Sequence, residues 1–219
     1  MNLILIAAPA AGKGTVAEIL NKKCGLIGVS AGELLRGVDS ESELGKYIRV
    51  IQSEGRLVDN KITNELMKER LSKSDIKEYG VILDGYPRLM DQVYALESMQ
   101  KELNLDIDYV LYLKIDYETA LKRTIGRRIC PNCKKTYNVL TGYNTPKVEN
   151  TCDNCGCLLD KRNDDNEESL KVRFDFFKEN TLPVVEYYKN IGKVIEIDSS
   201  KDINEVIKDL EKSLGVQID

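Results

Sequence analysis

MNLILIAAPAAGKGT, residues 1–15, joins a buried strand to a helix through a loop of small residues. Leu3–Ile6 is an unbroken apolar run of strand length, which is typical of a strand covered on both faces in a parallel sheet. Beyond the loop, one apolar helical face recurs at Val16, Ile19, Leu20 and Cys24. This order of elements predicts an α/β protein.

The loop itself has the composition of a phosphate-binding loop. In such a loop, backbone N–H groups point at the anion and a lysine, here Lys13, reaches the terminal phosphates. The match to G-x-x-x-x-G-K-S/T is imperfect, because Ala7 replaces the first glycine and Gly14 separates Lys13 from Thr15. Ala10 is a further non-glycine, and a positive φ there would cost about 1 kcal/mol. A plain small-residue turn is the alternative.

The composition is that of an ordinary globular protein and excludes several classes of function. Of the 219 residues 42% are hydrophobic and 31% charged, and the net charge of −4 argues against general binding to nucleic acid or membrane surfaces. The sequence has no apolar run of about 18–20 residues and no signal-peptide pattern, so we expect a cytoplasmic protein. It has no histidine, which excludes histidine-based catalysis.

Further apolar runs alternate with helical patterns along the chain. Strands are predicted at residues 26–29, 81–84, 109–115 and 194–197. With the first strand they predict a five-stranded, parallel, doubly wound sheet, which binds ligands at the carboxyl ends of its strands. Residues 30–59 contain short helical patterns and no predicted strand, and therefore look like an insertion between sheet elements.

Several polar residues stand where helices or ligands are expected. Ser30 and Glu33 have the spacing of a capping box, and Asp59 can cap the helix that follows it. Asp84 ends a predicted strand beside the phosphate loop, where a carboxylate can hold Mg²⁺ or its waters. The alternative for Asp84 is a cap of the next helix.

Four of the six cysteines form two pairs, Cys130-x₂-Cys133 and, eighteen residues later, Cys152-x₂-Cys155. Each pair places two thiolates on a tight turn, so that four sulfurs surround one zinc ion. Four cysteines close the coordination sphere, and we therefore expect structural zinc. Disulfides are the alternative, which the missing secretion signal disfavours. Cys157 either takes no part in metal binding or substitutes for one of the four cysteine ligands.

Taken together, these motifs resemble the adenylate kinases, in the bacterial group with a long, zinc-bearing lid. The resemblance covers essentially the whole chain and rests on an ordered set of stretches: AAPAAGKGT (7–15), SAGELLRG (30–37), GRLV (55–58), LDGYPR (83–88) with Gln92, GRR (126–128) before the cysteine pairs, and RNDDNEE (162–168) with Arg173. So many motifs in order are more specific than the phosphate loop alone.

The resemblance implies a P-loop nucleoside-monophosphate kinase fold and a monomer. The core would be residues 1–29, 60–126 and 163–219, the nucleoside-monophosphate-binding insertion residues 30–59, and the zinc lid residues 127–162. The family transfers the γ-phosphoryl of Mg·ATP reversibly to AMP, giving two ADP. The implied partners are therefore ATP, AMP and ADP, and the implied cofactors are Mg²⁺ and structural Zn²⁺.

The resemblance also implies roles for residues at matching positions. The implied catalytic groups are Lys13, Asp84, Arg88, Arg127, Arg162 and Arg173. ATP would contact Ala10, Ala11, Gly12, Lys13, Gly14, Thr15, Arg123, Arg127 and Tyr137, with Arg123 and Tyr137 flanking its adenine. AMP would contact Ala31, Arg36, Leu57, Val58, Gly85, Arg88, Gln92, Arg162 and Arg173. Thr15 and Asp84 would lie near Mg²⁺, and Cys130, Cys133, Cys152 and Cys155 would hold zinc.

The sequence departs from the family pattern at three alanines. Ala7 and Ala10 replace usual loop glycines, from which we expect reduced but real activity. Ala31 replaces a threonine near the AMP base and is reminiscent of UMP/CMP kinases, whereas the amide of Gln92 suits adenine. A UMP/CMP kinase and a catalytically silent nucleotide-binding protein are therefore the alternatives. The resemblance also implies a cis peptide bond before Pro87.

Overall fold

The protein is built on a parallel sheet, as the alternation of strands and helices predicts. The computed structural model describes residues 1–53, 57–142 and 144–217. Their strands are β1 (Asn2–Ala7), β2 (Ile27–Ser30), β3 (Val81–Asp84), β4 (Tyr109–Lys114), β5 (Arg127–Ile129), β6 (Thr136–Asn138) and β7 (Val194–Asp198). Five strands form one parallel sheet in the order β2-β3-β1-β4-β7, which confirms the predicted fold class.

Helices cover the sheet and form the segments between its strands. They are α1 (Lys13–Cys24), α2 (Ala31–Gly37), α3 (Glu43–Ser53), α4 (Asn60–Leu71), α5 (Ser74–Tyr79), α6 (Met90–Leu103), α7 (Tyr117–Gly126), α8 (Glu167–Phe176), α9 (Leu182–Asn190) and α10 (Ile203–Leu214). A π-helical turn, Phe177–Thr181, connects α8 to α9. Among the described residues, no helix combines the length and the apolar character that crossing a bilayer requires.

The central position of β1 follows from its apolar run. Leu3 and Ile4 are fully buried, and β1 is hydrogen-bonded to β3 on one side and to β4 on the other. Because parallel strands end at the same edge of the sheet, the residues that follow β1 and β3 are brought next to each other. This edge carries the candidate site.

At the helix starts one prediction is wrong, one alternative is excluded and one prediction is confirmed. Within the described residues, the Ser30 side chain accepts no N–H at the start of α2, because Ser30 is the last residue of β2 and lies in its ladder opposite Asp84. The cap of α6 is at Leu89, so Asp84 does not cap that helix. Asp59 does cap α4, with its carboxylate accepting the N–H of Lys61 at 2.7 Å.

Other boundaries differ by one or two residues. The second strand runs over Ile27–Ser30 instead of 26–29, and the short helical patterns within residues 30–59 form α2 and α3. Gly55 and Arg56 of the GRLV stretch lie outside the described residues. The peptide bond between Tyr86 and Pro87 is cis, as the resemblance implies.

Two smaller apolar clusters lie outside the main core. One joins the segment 30–59 to α4 and contains Leu35, Ile48, Ile51 and Val58, with Ile62 and Leu66 packed against it. The other lies in the cysteine-bearing segment and contains Cys130, Tyr137, Cys152 and Leu159. Each of these segments therefore has a local centre of packing besides its connection to the sheet.

The cysteine-bearing segment is a ribbon in which β5 pairs with β6 in antiparallel fashion. Its two turns are alike: the Cys130 carbonyl accepts the Lys134 N–H at 3.0 Å, and the Cys152 carbonyl accepts the Gly156 N–H at 2.9 Å. The fifth residue of each turn has a left-handed backbone, with φ of +61° at Lys134 and +72° at Gly156. Glycine adopts this conformation freely, whereas a side chain is strained there. The first turn is therefore strained and the second is not.

We expect Lys134→Gly to tighten zinc binding by the ribbon about two- to fivefold. Glycine at this position removes the strain of the left-handed backbone, but it also costs conformational entropy when the ribbon folds. The difference between these two free energies corresponds to the expected ratio of zinc affinities. Competition with a zinc chelator measures it. Lys135→Gly is the matched control, because Lys135 is also exposed but has no positive φ, and it should weaken binding. Equal loss in both variants would contradict the role assigned to the Lys134 backbone.

Candidate functional site

The site lies where β1 and β3 end side by side. In the sheet register Leu5 is opposite Asp84, so the loop after β1 runs next to the residues that follow Asp84. Lys13, the first residue of α1, forms an ion pair with Asp84 through Nζ and Oδ1. The structure thus brings together the predicted phosphate-loop lysine and the predicted magnesium-binding carboxylate.

The loop before Lys13 contains two left-handed residues. Gly12, at the N-cap of α1, has φ of +83°, and Ala10 has φ of +61°. The Ala11 N–H donates to the Ala8 carbonyl at 3.2 Å, which closes the turn between them. Gly12 adopts its conformation without strain, whereas Ala10 carries the penalty that a side chain has in this region.

Arg88 and Lys13 approach each other over Gly85. The Arg88 Nε donates to the Gly85 carbonyl at 2.9 Å. A Cβ atom on Gly85 would lie 2.7 Å from Nη2 of Arg88 and 3.3 Å from Nζ of Lys13, and the φ of Gly85 is +73°. A side chain at this position would therefore displace both cations, which makes glycine necessary here.

The charges of Lys13, Asp84 and Arg88 influence one another. Burial lowers the pKa of Lys13, the Asp84 carboxylate opposes that shift, and the neighbouring Arg88 guanidinium adds to it. Two cations facing one carboxylate leave a positive charge at the end of the loop. Such a place suits an anion with several oxygens, because both cations can donate to it.

Gln92 lies beside Arg88 and is almost fully buried, with 6% of its surface exposed. Its Oε1 accepts the Arg88 N–H at 2.8 Å, and its Nε2 donates to Oδ1 of Asn60 at 2.8 Å. Asn64, one turn further along α4, accepts the hydroxyl of buried Tyr86 at 2.7 Å. Neither Asn60 nor Asn64 stands out in the sequence, where the only sign of a shared role is their four-residue spacing on one helix.

Two of the other predicted arginines, Arg127 and Arg173, are held by adjacent aspartates. Both Nε and Nη2 of Arg127 donate to Asp165, whose side chain is fully buried. Arg173 pairs with Asp164 at 3.1 Å. Neither aspartate stands out in the sequence, although both lie in the RNDDNEE stretch, and a buried carboxylate such as Asp165 is expected to have a cationic partner.

Other predicted residues lie at the periphery. Arg36 on α2 and Arg162 are exposed, as is Leu57, whereas Ala31 and Val58 are buried. Arg123 reaches the carbonyls of Ser200 and Lys201 at 3.5 Å, which ties α7 to the loop after β7. Arg36, Arg162 and Leu57 are thus free to contact a ligand through exposed side chains.

Tyr137 is not placed as the resemblance implies. Its ring is 1% exposed and packs between the cysteines of the ribbon, and its hydroxyl accepts the Asp153 N–H at 2.9 Å and lies 3.4 Å from Sγ of Cys152. A ring buried in this way stabilises the ribbon and does not present a face to adenine. The contact of the Tyr137 ring with ATP is therefore corrected to a role in packing.

The four predicted metal ligands do converge. The Sγ atoms of Cys130, Cys133, Cys152 and Cys155 all lie within 4.8 Å of one another, and the closest pairs are 3.4 and 3.5 Å apart. Thiolates about 2.3 Å from a tetrahedral zinc ion are roughly 3.8 Å apart, so the cluster fits this ion. Cys157 lies outside the set, and all six cysteines are free thiols.

The Cys130 and Cys155 thiols are hydrogen-bonded at 3.4 Å and their pKa values shift in opposite directions, with burial and the Cys155 contact raising the pKa of Cys130 to about 12. The N–H of Cys157 and the neighbouring Cys130 thiol lower the pKa of Cys155 to about 6. A cysteine binds zinc as the thiolate, and a lowered pKa makes that form available at neutral pH. The donor set and its charge thus agree with the predicted structural zinc.

Comparison with known proteins agrees with this geometry. The family model for adenylate kinase matches residues 5–193. The chain is 43% identical over 211 residues to an adenylate kinase of Thermosipho africanus, covering 96% of this chain and 97% of the relative. It is 41% identical over 216 residues to that of Fervidobacterium nodosum, covering 98% of both chains, and 40% identical over 217 residues to that of Lactococcus lactis, covering 98% of this chain and all of the relative. With a parallel sheet, a lysine-bearing loop and a four-cysteine ribbon in the expected places, the chain belongs to the adenylate kinase family.

Proposed function

We propose that the protein transfers the γ-phosphoryl of Mg·ATP reversibly to AMP, giving two ADP, at the edge where β1 and β3 end. The observation that carries this proposal is the meeting of Lys13, Asp84 and Arg88 over Gly85 at the end of the phosphate loop. Phosphoryl transfer demands positioning and charge stabilisation, which converging cations supply.

In this reaction an oxygen of the AMP phosphate forms a bond to the γ-phosphorus while the bond to the bridging β,γ-oxygen breaks. The leaving group is ADP, and the new P–O bond completes the second ADP. The acceptor oxygen is already an anion, so no general base is required. The residues of the chain therefore act by holding two anions together and by shielding their charge.

Lys13 and Arg88 are the groups placed closest to this event. We assign the terminal phosphates of ATP to Lys13 and to the N–H groups of residues 10–15, and the phosphate of AMP to Arg36 and Arg88. Arg127, Arg162 and Arg173 would complete the positive surroundings of the transferring group. The buried contact of Arg127 with Asp165 supports this assignment, because it fixes the direction of a guanidinium that otherwise has many rotamers.

Adenylate kinases use Mg²⁺ with ATP, and the residues present fit that ion. Asp84 supplies a carboxylate oxygen at the strand end and Thr15 a hydroxyl in the first turn of α1, which are ligands that Mg²⁺ or its waters prefer. When bound with ATP, the ion neutralises charge on the phosphate oxygens. The zinc of the ribbon has a structural role, since four cysteines leave it without an open position.

The two peripheral segments are proposed to be moving lobes. Residues 30–59 would bind AMP through Ala31, Arg36, Leu57 and Val58, together with Gly85 and Gln92 of the core. Residues 127–162 would close over ATP and keep water from accepting the phosphoryl. The local apolar clusters of both segments support this division, because each segment can stay folded while it moves. The core would then be residues 1–29, 60–126 and 163–219.

The remaining proposals concern the setting of the enzyme. We propose a cytoplasmic monomer, which the free state of its six cysteines supports, since thiolate ligands require a reducing compartment. The relatives are named as adenylate kinases, and a pyrimidine nucleotide is therefore not favoured as the phosphoryl acceptor.

The strained Ala10 is the feature that would reduce turnover without abolishing it.

We expect AMP to be the preferred acceptor. With Mg·ATP as donor, kcat/KM for AMP should exceed that for CMP and for UMP by at least about tenfold, because a pocket built for a purine is underfilled by a pyrimidine. Product formation with each nucleotide in turn measures it. Preference for CMP or UMP would assign the chain to pyrimidine-monophosphate phosphorylation, and ATP binding without turnover would indicate a silent protein.

We expect Ala10→Gly to raise kcat. Glycine removes the strain at φ of +61°, which should improve stability by roughly 0.5–1 kcal/mol and bring the loop N–H groups closer to the phosphates. Steady-state kinetics and thermal unfolding measure both effects. Ala7→Gly is the matched control, since Ala7 ends β1 without a positive φ and should be destabilised by glycine. Wild-type turnover in Ala10→Gly would show that the strain has no bearing on catalysis.

A further inference from the structure

We propose that Asn60 is a positioning residue that fixes the amide of Gln92 and thereby makes the acceptor site favour bases with an amino group beside a ring nitrogen acceptor. Adenine has such an edge, whereas hypoxanthine, guanine and uracil have a carbonyl beside a ring N–H. The inference rests on the proposed function in one respect, namely that Gln92 contacts the base of the acceptor nucleotide.

The orientation of the Gln92 amide follows from the chemistry of its neighbours. A backbone N–H can only donate, so the atom that faces the Arg88 N–H at 2.8 Å must be the amide oxygen. The amide nitrogen then faces Asn60 at 2.8 Å, and Asn60 must offer its oxygen. Two contacts on opposite ends of one amide therefore specify the same orientation.

Each contact uses one of the four hydrogen-bonding positions of the amide. One lone pair of Oε1 and one N–H of Nε2 remain for a ligand. Adenine matches this pair, because its amino group donates to Oε1 and its N1 accepts from Nε2. A carbonyl in place of the amino group would face Oε1 and an N–H would face Nε2, so both interactions would be repulsive.

Rotating the amide to suit the wrong base is costly at this position. Gln92 is 6% exposed, so water is poorly placed to replace a lost contact. The rotated nitrogen would face the Arg88 N–H, and the rotated oxygen would face the oxygen of Asn60. Asn60 can relieve its half of the conflict only by rotating its own amide as well. Asn60 therefore contributes to discrimination through one hydrogen bond, and an aspartate in its place would contribute without being able to rotate.

The test compares AMP with IMP, which differ at this edge of the base. For wild type and for Asn60→Ala, Asn60→Asp, Asn64→Ala and Gln92→Ala, kcat/KM is measured with each acceptor, and the inhibition constant of IMP against AMP is measured in addition. Alanine suits the first residue of a helix and aspartate is favourable there, so both Asn60 variants are expected to fold. Asn64→Ala is the matched control, because Asn64 lies on the same helix and accepts the Tyr86 hydroxyl, which reaches the main-chain carbonyl of Gln92 at 3.3 Å but not its side-chain amide.

Asn60→Ala should lower the preference for AMP over IMP about two- to tenfold, which is the value of one hydrogen bond as an affinity ratio. The change should lie in KM for AMP, with kcat and KM for ATP within about twofold of wild type. Asn60→Asp should keep or increase the preference. Asn64→Ala should lower the temperature of unfolding and leave the preference unchanged, which separates orientation of the amide from general loss of structure.

Three results would overturn the inference. An unchanged preference in Asn60→Ala, with a lowered one in Gln92→Ala, would show that Gln92 contacts the base without help from Asn60. Equal loss in Asn60→Asp and Asn60→Ala would show that an acceptor at this position is not what matters. If Gln92→Ala alters neither KM for AMP nor the preference, the base lies elsewhere, and the placement of AMP in the proposed function fails together with the inference.

Discussion

The ion pair between Lys13 and Asp84 is the constraint around which the site is built. It connects the two strand ends, because Lys13 begins the helix after β1 and Asp84 is the last residue of β3. Its carboxylate also opposes the lowering of the Lys13 pKa that burial and the neighbouring cation Arg88 cause. Without the carboxylate, burial and repulsion would both disfavour the charge that a phosphate requires.

The rest of the protein adds to this centre in two ways. The sheet supplies the rigid edge, since β1 is buried between β3 and β4. In the proposed reaction the cysteine-bearing segment contributes Arg127, and the ion pair with Asp165 fixes the direction of its guanidinium. Ala10 in the loop and Lys134 in the ribbon take left-handed conformations that glycine adopts freely, and three asparagines among the described residues, Asn104, Asn144 and Asn150, do so as well. Asparagine tolerates this conformation better than alanine or lysine, so the strain is expected chiefly at Ala10 and Lys134.

The sequence predicted what depends on local pattern. The apolar run of β1, the small-residue loop and the two cysteine pairs are each contained in a few consecutive residues, and all three were identified correctly. Contacts between distant residues were not predicted: Gln92 and Asn60 are 32 positions apart, and Arg127 and Asp165 are 38 apart. Ser30 does not cap α2 because it is paired in β2, although its local sequence favours a cap. The Tyr137 ring does not present a face to adenine because the ribbon buries that ring.

The most direct measurement is the effect of Lys13→Met on kcat and on the dissociation constant of ATP. If Lys13 stabilises charge as the phosphoryl moves, kcat falls about a hundredfold or more while ATP affinity changes much less. Lys22→Met, on the same helix, removes an exposed lysine paired with Glu18 and should leave kcat unchanged. A kcat for Lys13→Met within about threefold of wild type would contradict the central place given to this ion pair.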